Sequence, residues 1–308
     1  MPRGRGADGP GRPTVRPTAT KSPRRRALAL LGGTAATALL TAGCSAQELS
    51  TGWLPSTRDT TDETGRIITL WNGSWIAALA VGVLVWGLTL WVVVAYRRRK
   101  DEVGLPAQLR YNVPLEILYT VVPLMMVGVL FYYTYRDQTE IEALPENPDV
   151  NIGVVGKQWA WDFNYEDEDV YETSTQVDLD EQGNPISEIP TLYLPVDQTV
   201  QFTLTSRDVI HSFWVPGFLY KKDMIPGREN LIALTPQQTG VFEGKCAELC
   251  GQYHSEMLFR VAVVEQDEFD AQMDRLRAAG QTGQLGSDLD KTTSDGTIDA
   301  VDVPEDEG

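Results

Sequence analysis

Two uncharged runs, WIAALAVGVLVWGLTLWVVVAY over Trp75–Tyr96 and ILYTVVPLMMVGVLFYYTY over Ile117–Tyr135, set the strongest limit on how this chain can fold. Each is close to the roughly 20 apolar residues that cross a bilayer, and neither has the polar stripe of a helix packed on a soluble core. Membrane helices are therefore expected over 74–97 and 116–136. Pro123 is tolerable inside such a helix, and the aromatic cluster that closes the second run suits a membrane interface. In the connecting segment, 98–115 with its flanking Arg97, the basic Arg97, Arg98, Arg99, Lys100 and Arg110 outnumber Asp101 and Glu102. An excess of Lys and Arg marks a cytoplasmic loop. Both ends of the hairpin are thus expected outside, in a multi-pass protein of a bacterial cell membrane.

Ahead of the spans, KSPRRR, then ALALLGGTAATALL, then TAGC read as a charged region, an apolar region and a small-residue cleavage site, so 1–43 is expected to be a signal peptide. TAGC resembles the lipobox of bacterial lipoproteins, which would make Cys44 the lipid-bearing first residue of an exported segment, 44–73. Thr41 stands where that motif has Leu, which leaves cleavage without lipidation or an uncleaved anchor as alternatives. Loss of 1–43 removes eight basic groups and one acid and takes the net charge from −17 to −24. An exported domain this acidic repels nucleic acid, which is excluded as a partner, and attracts basic proteins.

Beyond the hairpin the apolar spacing changes to two. Val150, Ile152 and Val154, then Trp159, Trp161, Phe163 and Tyr165, then Phe202, Leu204, Phe259, Val261 and Val263 read as strands, separated by turn-rich DEQGNP, LPVDQT and TPQQTG. This predicts an all-β sandwich over 148–265 with a long acidic loop at 166–185. A helix at 266–280 follows, and then an acidic, disordered tail at 281–308.

The chain has two histidines and three cysteines, and apart from Cys44 they all fall in two short sandwich segments. His211 is placed at the end of a strand, in HSFWVP. Cys246, Cys250, His254 and Met257 lie in CAELCGQYHSEM, a loop before the last strand. A late-loop Cys, His, Met cluster combined with an upstream His is the arrangement of copper-binding cupredoxins, and soft sulfur donors with imidazole suit copper. A Cys246–Cys250 disulfide would fit an exported protein but leaves both histidines and Met257 idle. Zinc loops favour other spacings and make little use of a methionine sulfur. A thioredoxin-like copper chaperone needs βαβ patterning that is absent. One blue copper needs one cysteine, so the second thiolate favours a binuclear centre.

With LEILYTVVP at Leu115–Pro123, GKQWAWDF at Gly156–Phe163, SRDVIHSFWVP at Ser206–Pro216, KKDMIPGREN at Lys221–Asn230 and CAELCGQYHSEM, the chain resembles subunit II of haem-copper cytochrome c oxidases. The quinol-oxidising branch of that family has lost the copper ligands, whereas this chain carries them all. The resemblance implies a two-copper CuA centre bridged by Cys246 and Cys250. His211 and Met257 would complete one copper, and His254 with the backbone carbonyl of Glu248 the other. It also implies a magnesium ion near the Glu248 side chain at the border with subunit I. Glu116 would mark the mouth of a proton pathway. Trp159 would be the point where electrons enter, on the same strand face as a core-packing Trp161, and Asp208 would belong to a cytochrome-docking rim. The implied activity is electron relay from a c-type cytochrome, soluble or anchored to a bc complex, to the haem-bearing subunit I. Subunit III would complete an oxidase that reduces oxygen to water and pumps protons. A nitrous-oxide reductase would require a catalytic propeller that this chain lacks. An exported lipoprotein that stores or delivers copper is the alternative from a different class, and it would hold copper weakly rather than in a stable mixed-valence centre.

Overall fold

The computed structural model describes residues 45–98, 104, 105, 108, 110–286 and 289. The predicted signal peptide, Cys44 and most of the tail lie outside them. A short helix α1, Ala46–Thr51, opens on a reciprocal cap in which Glu48 N donates to Ser45 Oγ at 3.1 Å and Ser45 N to Glu48 Oε2 at 2.7 Å.

The two long helices, α2 (Thr64–Ala95) and α3 (Val113–Ile141), are exposed along their apolar lengths and have mean hydropathies of 2.4 and 2.0 in their most apolar windows. α2 starts ten residues before the predicted span of 74–97 and stops two short of its end, and α3 extends beyond 116–136 at both ends, because a helix need not stop where its apolar stretch does. α3 starts at an Asn112 cap whose side chain accepts from Leu115 N, with Pro114 in the first turn. Near the sandwich, Arg66 of α2 pairs with Glu63 at 3.0 Å and with Asp137 of α3 at 3.7 Å, while Arg136 reaches Asp137 at 2.6 Å. Asp137 is buried between these two guanidinium groups, so a charge that would be costly to bury alone is paired.

The predicted sandwich is present. Its strands are β1 (Val150–Lys157), β2 (Ala160–Tyr165), β3 (Val170–Thr173), β4 (Thr191–Pro195), β5 (Val200–Ser206), β6 (His211–Val215), β7 (Tyr220–Met224), β8 (Asn230–Leu234), β9 (Gly240–Cys246) and β10 (Leu258–Val264), and helix α4 spans Gln266–Ala278. One sheet runs β3-β2-β1-β5-β8 and the other β4-β10-β9-β6-β7. Two pairings are parallel, β1 with β5 from Val150↔Val200 and β10 with β4 from Arg260↔Thr191. Alternation drives the inner face. Ile152, Val154, Trp161, Phe163, Phe202, Leu204, Phe259 and Val261 are all buried, and Phe213 stacks on Phe259 at 4.9 Å between ring centroids. Gly244 lies where Phe259 crosses β9, and a Cβ there would sit 2.2 Å from the Phe259 ring.

Two ties join the sandwich to the helices, and neither was read from the sequence. In the segment before α2, Asp62 N donates to Thr235 O at 3.1 Å, Thr235 N to Asp62 Oδ1 at 2.9 Å, and Gln237 N to Thr60 O at 3.0 Å. Beyond α3, Glu142 accepts from Tyr220 Oη at 2.8 Å and pairs with Lys222. The expected acidic loop 166–185 is not all loop, since it contains β3. The tail does not begin free at Gln281 either. Gln281 O accepts from Tyr171 N at 3.1 Å, Gly283 N donates to Asp169 O at 2.8 Å, and Leu285 N donates to Asn164 Oδ1 at 3.0 Å. Backbone groups of an otherwise polar segment complete the exposed edge of β3.

Glu172 on β3 faces β4 across a polar pocket. One carboxylate oxygen has no hydrogen-bond partner among the described residues, and burial pushes the group up to about 7 against a backbone hydrogen bond from Thr191. Because the folded pKa exceeds the unfolded one, burial costs nothing well below pH 4.5, and the penalty builds as pH rises from 4.5 to about 7 and stays constant above that. Glu172→Gln should therefore raise the melting temperature at pH 8, by on the order of 2 kcal/mol of stability, with the gap closing near pH 4.5. Calorimetry across that pH range checks it, and a constant difference would remove Glu172 as its source.

Candidate metal centre

Strand pairing brings the donors together. Cys246 ends β9, held opposite Phe213 of β6 and by its N–H to Met257 O at 3.0 Å. His211 begins β6 rather than ending the preceding strand, and pairs with Met224 of β7. The chain then leaves β9, gives Ala247 N to Ser212 O at 3.1 Å, and returns through a 3-10 turn at His254–Glu256 that delivers Met257 to the start of β10.

Six donors converge there. The sulfurs of Cys246 and Cys250 are 3.9 Å apart and form no disulfide. His211 Nδ1 lies 3.8 Å from Cys246 Sγ, and His254 Nδ1 lies 3.4 Å from Cys250 Sγ. Met257 Sδ is 3.8 Å from Cys250 Sγ, and the Glu248 carbonyl is 3.2 Å from Cys246 Sγ. The ligand atoms of His211, Cys246 and Cys250 fall within 4.8 Å of one another. His211, Cys246, Cys250 and Met257 are buried and His254 half-buried, whereas the Glu248 side chain points to solvent and offers the centre only its carbonyl.

Electrostatics prepare the pair for a cation. The contact between the two sulfurs, aided by His211, lowers Cys246 against its burial, and the same contact together with burial pushes Cys250 up. Burial would depress His211, but Asp208 and Cys246 beside it raise it instead. Thiolates, imidazoles and a thioether, four of the five side chains buried, are a donor set that fits copper.

The remaining candidates are placed differently. Trp161 is fully buried among Phe213 and Phe259 and is core packing, as expected. Trp159 is not in a strand. Gln158 and Trp159 form the two-residue turn between β1 and β2, so the shared-face argument does not hold for Trp159. Its half-buried ring meets Tyr253 edge-on at 4.9 Å and lies over Gly251, where a Cβ would sit 3.0 Å from the indole. Gly251 also has φ +134°, a conformation that L side chains rarely adopt. Asp208, expected on a docking rim, is buried, with 1% of its surface exposed. Glu116 is at the far end of the hairpin, where Oε1 accepts from Asn112 N at 2.9 Å and reinforces the start of α3. Gln158 was missed, although its Nε2 donates to Cys250 O at 2.8 Å and holds the metal loop. A glutamine in a turn with neither Gly nor Asn carries no sequence signal.

Comparison with known proteins decides the family. A family model described as cytochrome C oxidase subunit II, periplasmic domain, matches residues 150–264. The probable cytochrome c oxidase subunit 2 of Streptomyces coelicolor is 45% identical over 307 residues, covering 89% of this chain and 95% of the relative. The chain belongs to the cytochrome c oxidase subunit II family. Cytochrome c oxidase subunit 2 of Mycobacterium tuberculosis is 35% identical over 306 residues, covering 83% of each chain. Among solved structures, the periplasmic domain of subunit II of cytochrome oxidase from Bradyrhizobium japonicum is 33% identical, covering 44% of this chain and 99% of its own, with a TM-score of 0.40. As a subunit II, the chain pairs two membrane-type helices with a copper-type β-sandwich and is part of an oxidoreductase.

Proposed function

We propose that this subunit II holds two copper ions between Cys246 and Cys250, with His211 and Met257 on one and His254 and the Glu248 carbonyl on the other. Bound there, the pair supplies a one-electron carrier with its charge shared over both metals. The chain's own part is to hold the two sulfurs side by side, present His211 and His254 through Nδ1, and bury the pair against the sandwich core; the proton that burial and Cys246 keep on Cys250 would leave as metal binds. Electrons would arrive from a c-type cytochrome at Trp159 and leave to the haem-bearing subunit I of a complex that also contains subunit III, reduces oxygen to water and pumps protons. The observation that carries this reading is the unbridged 3.9 Å sulfur pair ringed by two imidazoles, a thioether and a carbonyl. Metal analysis of the purified complex should find two tightly held coppers in this chain. A single copper, or copper lost on dialysis as in a storage protein, would overturn it.

The same reading puts the sandwich on the extracytoplasmic side of a bacterial cell membrane, supported by the basic residues Arg97 and Arg98 after the first span. Protease added to intact spheroplasts should cleave the sandwich, and full protection would place it inside. Cys44 is proposed as the lipidated first residue, for which mass spectrometry of the mature N-terminus is the test. The exposed Glu248 carboxylate is proposed to bind magnesium at the border with subunit I. Glu248→Gln should lower magnesium content and spare copper, and unchanged magnesium would reduce its role to that of a carbonyl. Glu116 is proposed to admit protons, since a carboxylate bordering a membrane span is a functional candidate. Glu116→Ala should slow steady-state oxygen consumption, whereas normal turnover would leave Glu116 as a helix cap.

A further inference from the structure

Both carboxylate oxygens of Asp208 are engaged beside the metal loop. Its Oδ1 lies 2.8 Å from His211 Nε2 and accepts from Val209 N at 2.8 Å, while Oδ2 accepts from Gln158 N at 2.7 Å. The side chain is 2% exposed and that of His211 is 0% exposed, so neither contact competes with water. On another side of the imidazole, Gly156 leaves space in which a Cβ would stand 3.0 Å from His211 Cδ2. The ring is therefore confined on one side and hydrogen-bonded at Nε2, which leaves Nδ1 facing Cys246.

We infer that Asp208 is a positioning residue, holding His211 in the orientation and tautomer that aim Nδ1 at the paired sulfurs while anchoring the Gln158–Trp159 turn to the same carboxylate. With Nε2–H donated to Asp208, the lone pair remains on Nδ1, where a metal would take it. A carboxylate behind a ligating histidine fixes the ring and raises its basicity. Its negative charge, one imidazole away from the metals, favours their oxidised form. The second oxygen ties the turn that carries Trp159 to this ligand, and the Gln158 side chain ties the same turn to Cys250. One buried carboxylate thus sets the geometry of both the copper ligand and the indole above it.

This inference rests on the proposed copper centre, and Asp208→Asn in the full-length chain within the intact oxidase tests it. An amide offers one acceptor oxygen where three N–H donors converge. With its oxygen kept toward His211 and Val209, its NH2 opposes Gln158 N–H. The variant should still bind copper but shift the equilibrium between oxidised and reduced centre toward reduced by roughly tenfold, about 59 mV for one electron, with altered copper hyperfine splitting. If both the potential and the spectrum match the parent protein while the KM for a basic cytochrome rises steeply at low salt, Asp208 acts in docking and the inference is overturned. Should D208N fail to accumulate, D208E carries the test, since it keeps the charge but displaces the carboxylate. An altered spectrum supports positioning, and a parental spectrum and potential overturn it. If the parent protein itself lacks a two-copper signal, it is the copper reading that has failed.

Discussion

Cys250→Ser should leave a folded chain that holds at most one copper and has lost electron sharing. The hydroxyl is nearly isosteric but is a poor soft-metal ligand, and among the described residues Cys246 is the only other thiol. Three neighbours depend on this sulfur, because Cys246 Sγ, His254 Nδ1 and Met257 Sδ all lie within 3.9 Å of it. The loss should therefore exceed that caused by Met257→Leu, which removes one weak thioether and keeps both bridging thiolates. Copper content and the visible spectrum of the two variants side by side provide the measurement. Equal losses would mean that Cys250 is only a terminal ligand.

Trp159→Gln should slow reduction of the copper by reduced cytochrome by about a hundredfold, the scale that a misplaced reacting partner costs, with the cytochrome's KM almost unchanged. The indole is the large ring over the metal loop, bounded by Tyr253 and Gly251, and the turn beneath it is bonded to both Asp208 and Cys250. Both of those bonds are made by Gln158, so glutamine at 159 leaves them intact and removes only the ring. Stopped-flow reduction with an intact copper spectrum is decisive. A normal rate would reduce Trp159 to packing.

The spans were legible because uncharged runs of that length have few other uses, and the donor set because the sandwich contains only two histidines and two cysteines. What escaped the sequence depended on contacts between distant segments. A carboxylate three residues before a histidine reads alike on a rim or beneath a ligand. Burial of Asp208 follows only once β1 brings Gln158 N over it. The spacing of Trp159 and Trp161 mimics one strand face, but a hairpin turn at Gln158–Trp159 interrupts it. The ties at Thr60, Asp62 and Glu142, like the docking of Gln281–Gly286 on β3, combine backbone hydrogen bonds with polar side chains of ordinary surface type, which leave little trace in the sequence.

Electron paramagnetic resonance of the copper-loaded chain tests the central claim most directly. Paired thiolates 3.9 Å apart with an imidazole beside each predict one unpaired electron coupled equally to two copper nuclei. Hyperfine splitting from a single copper nucleus would contradict the account.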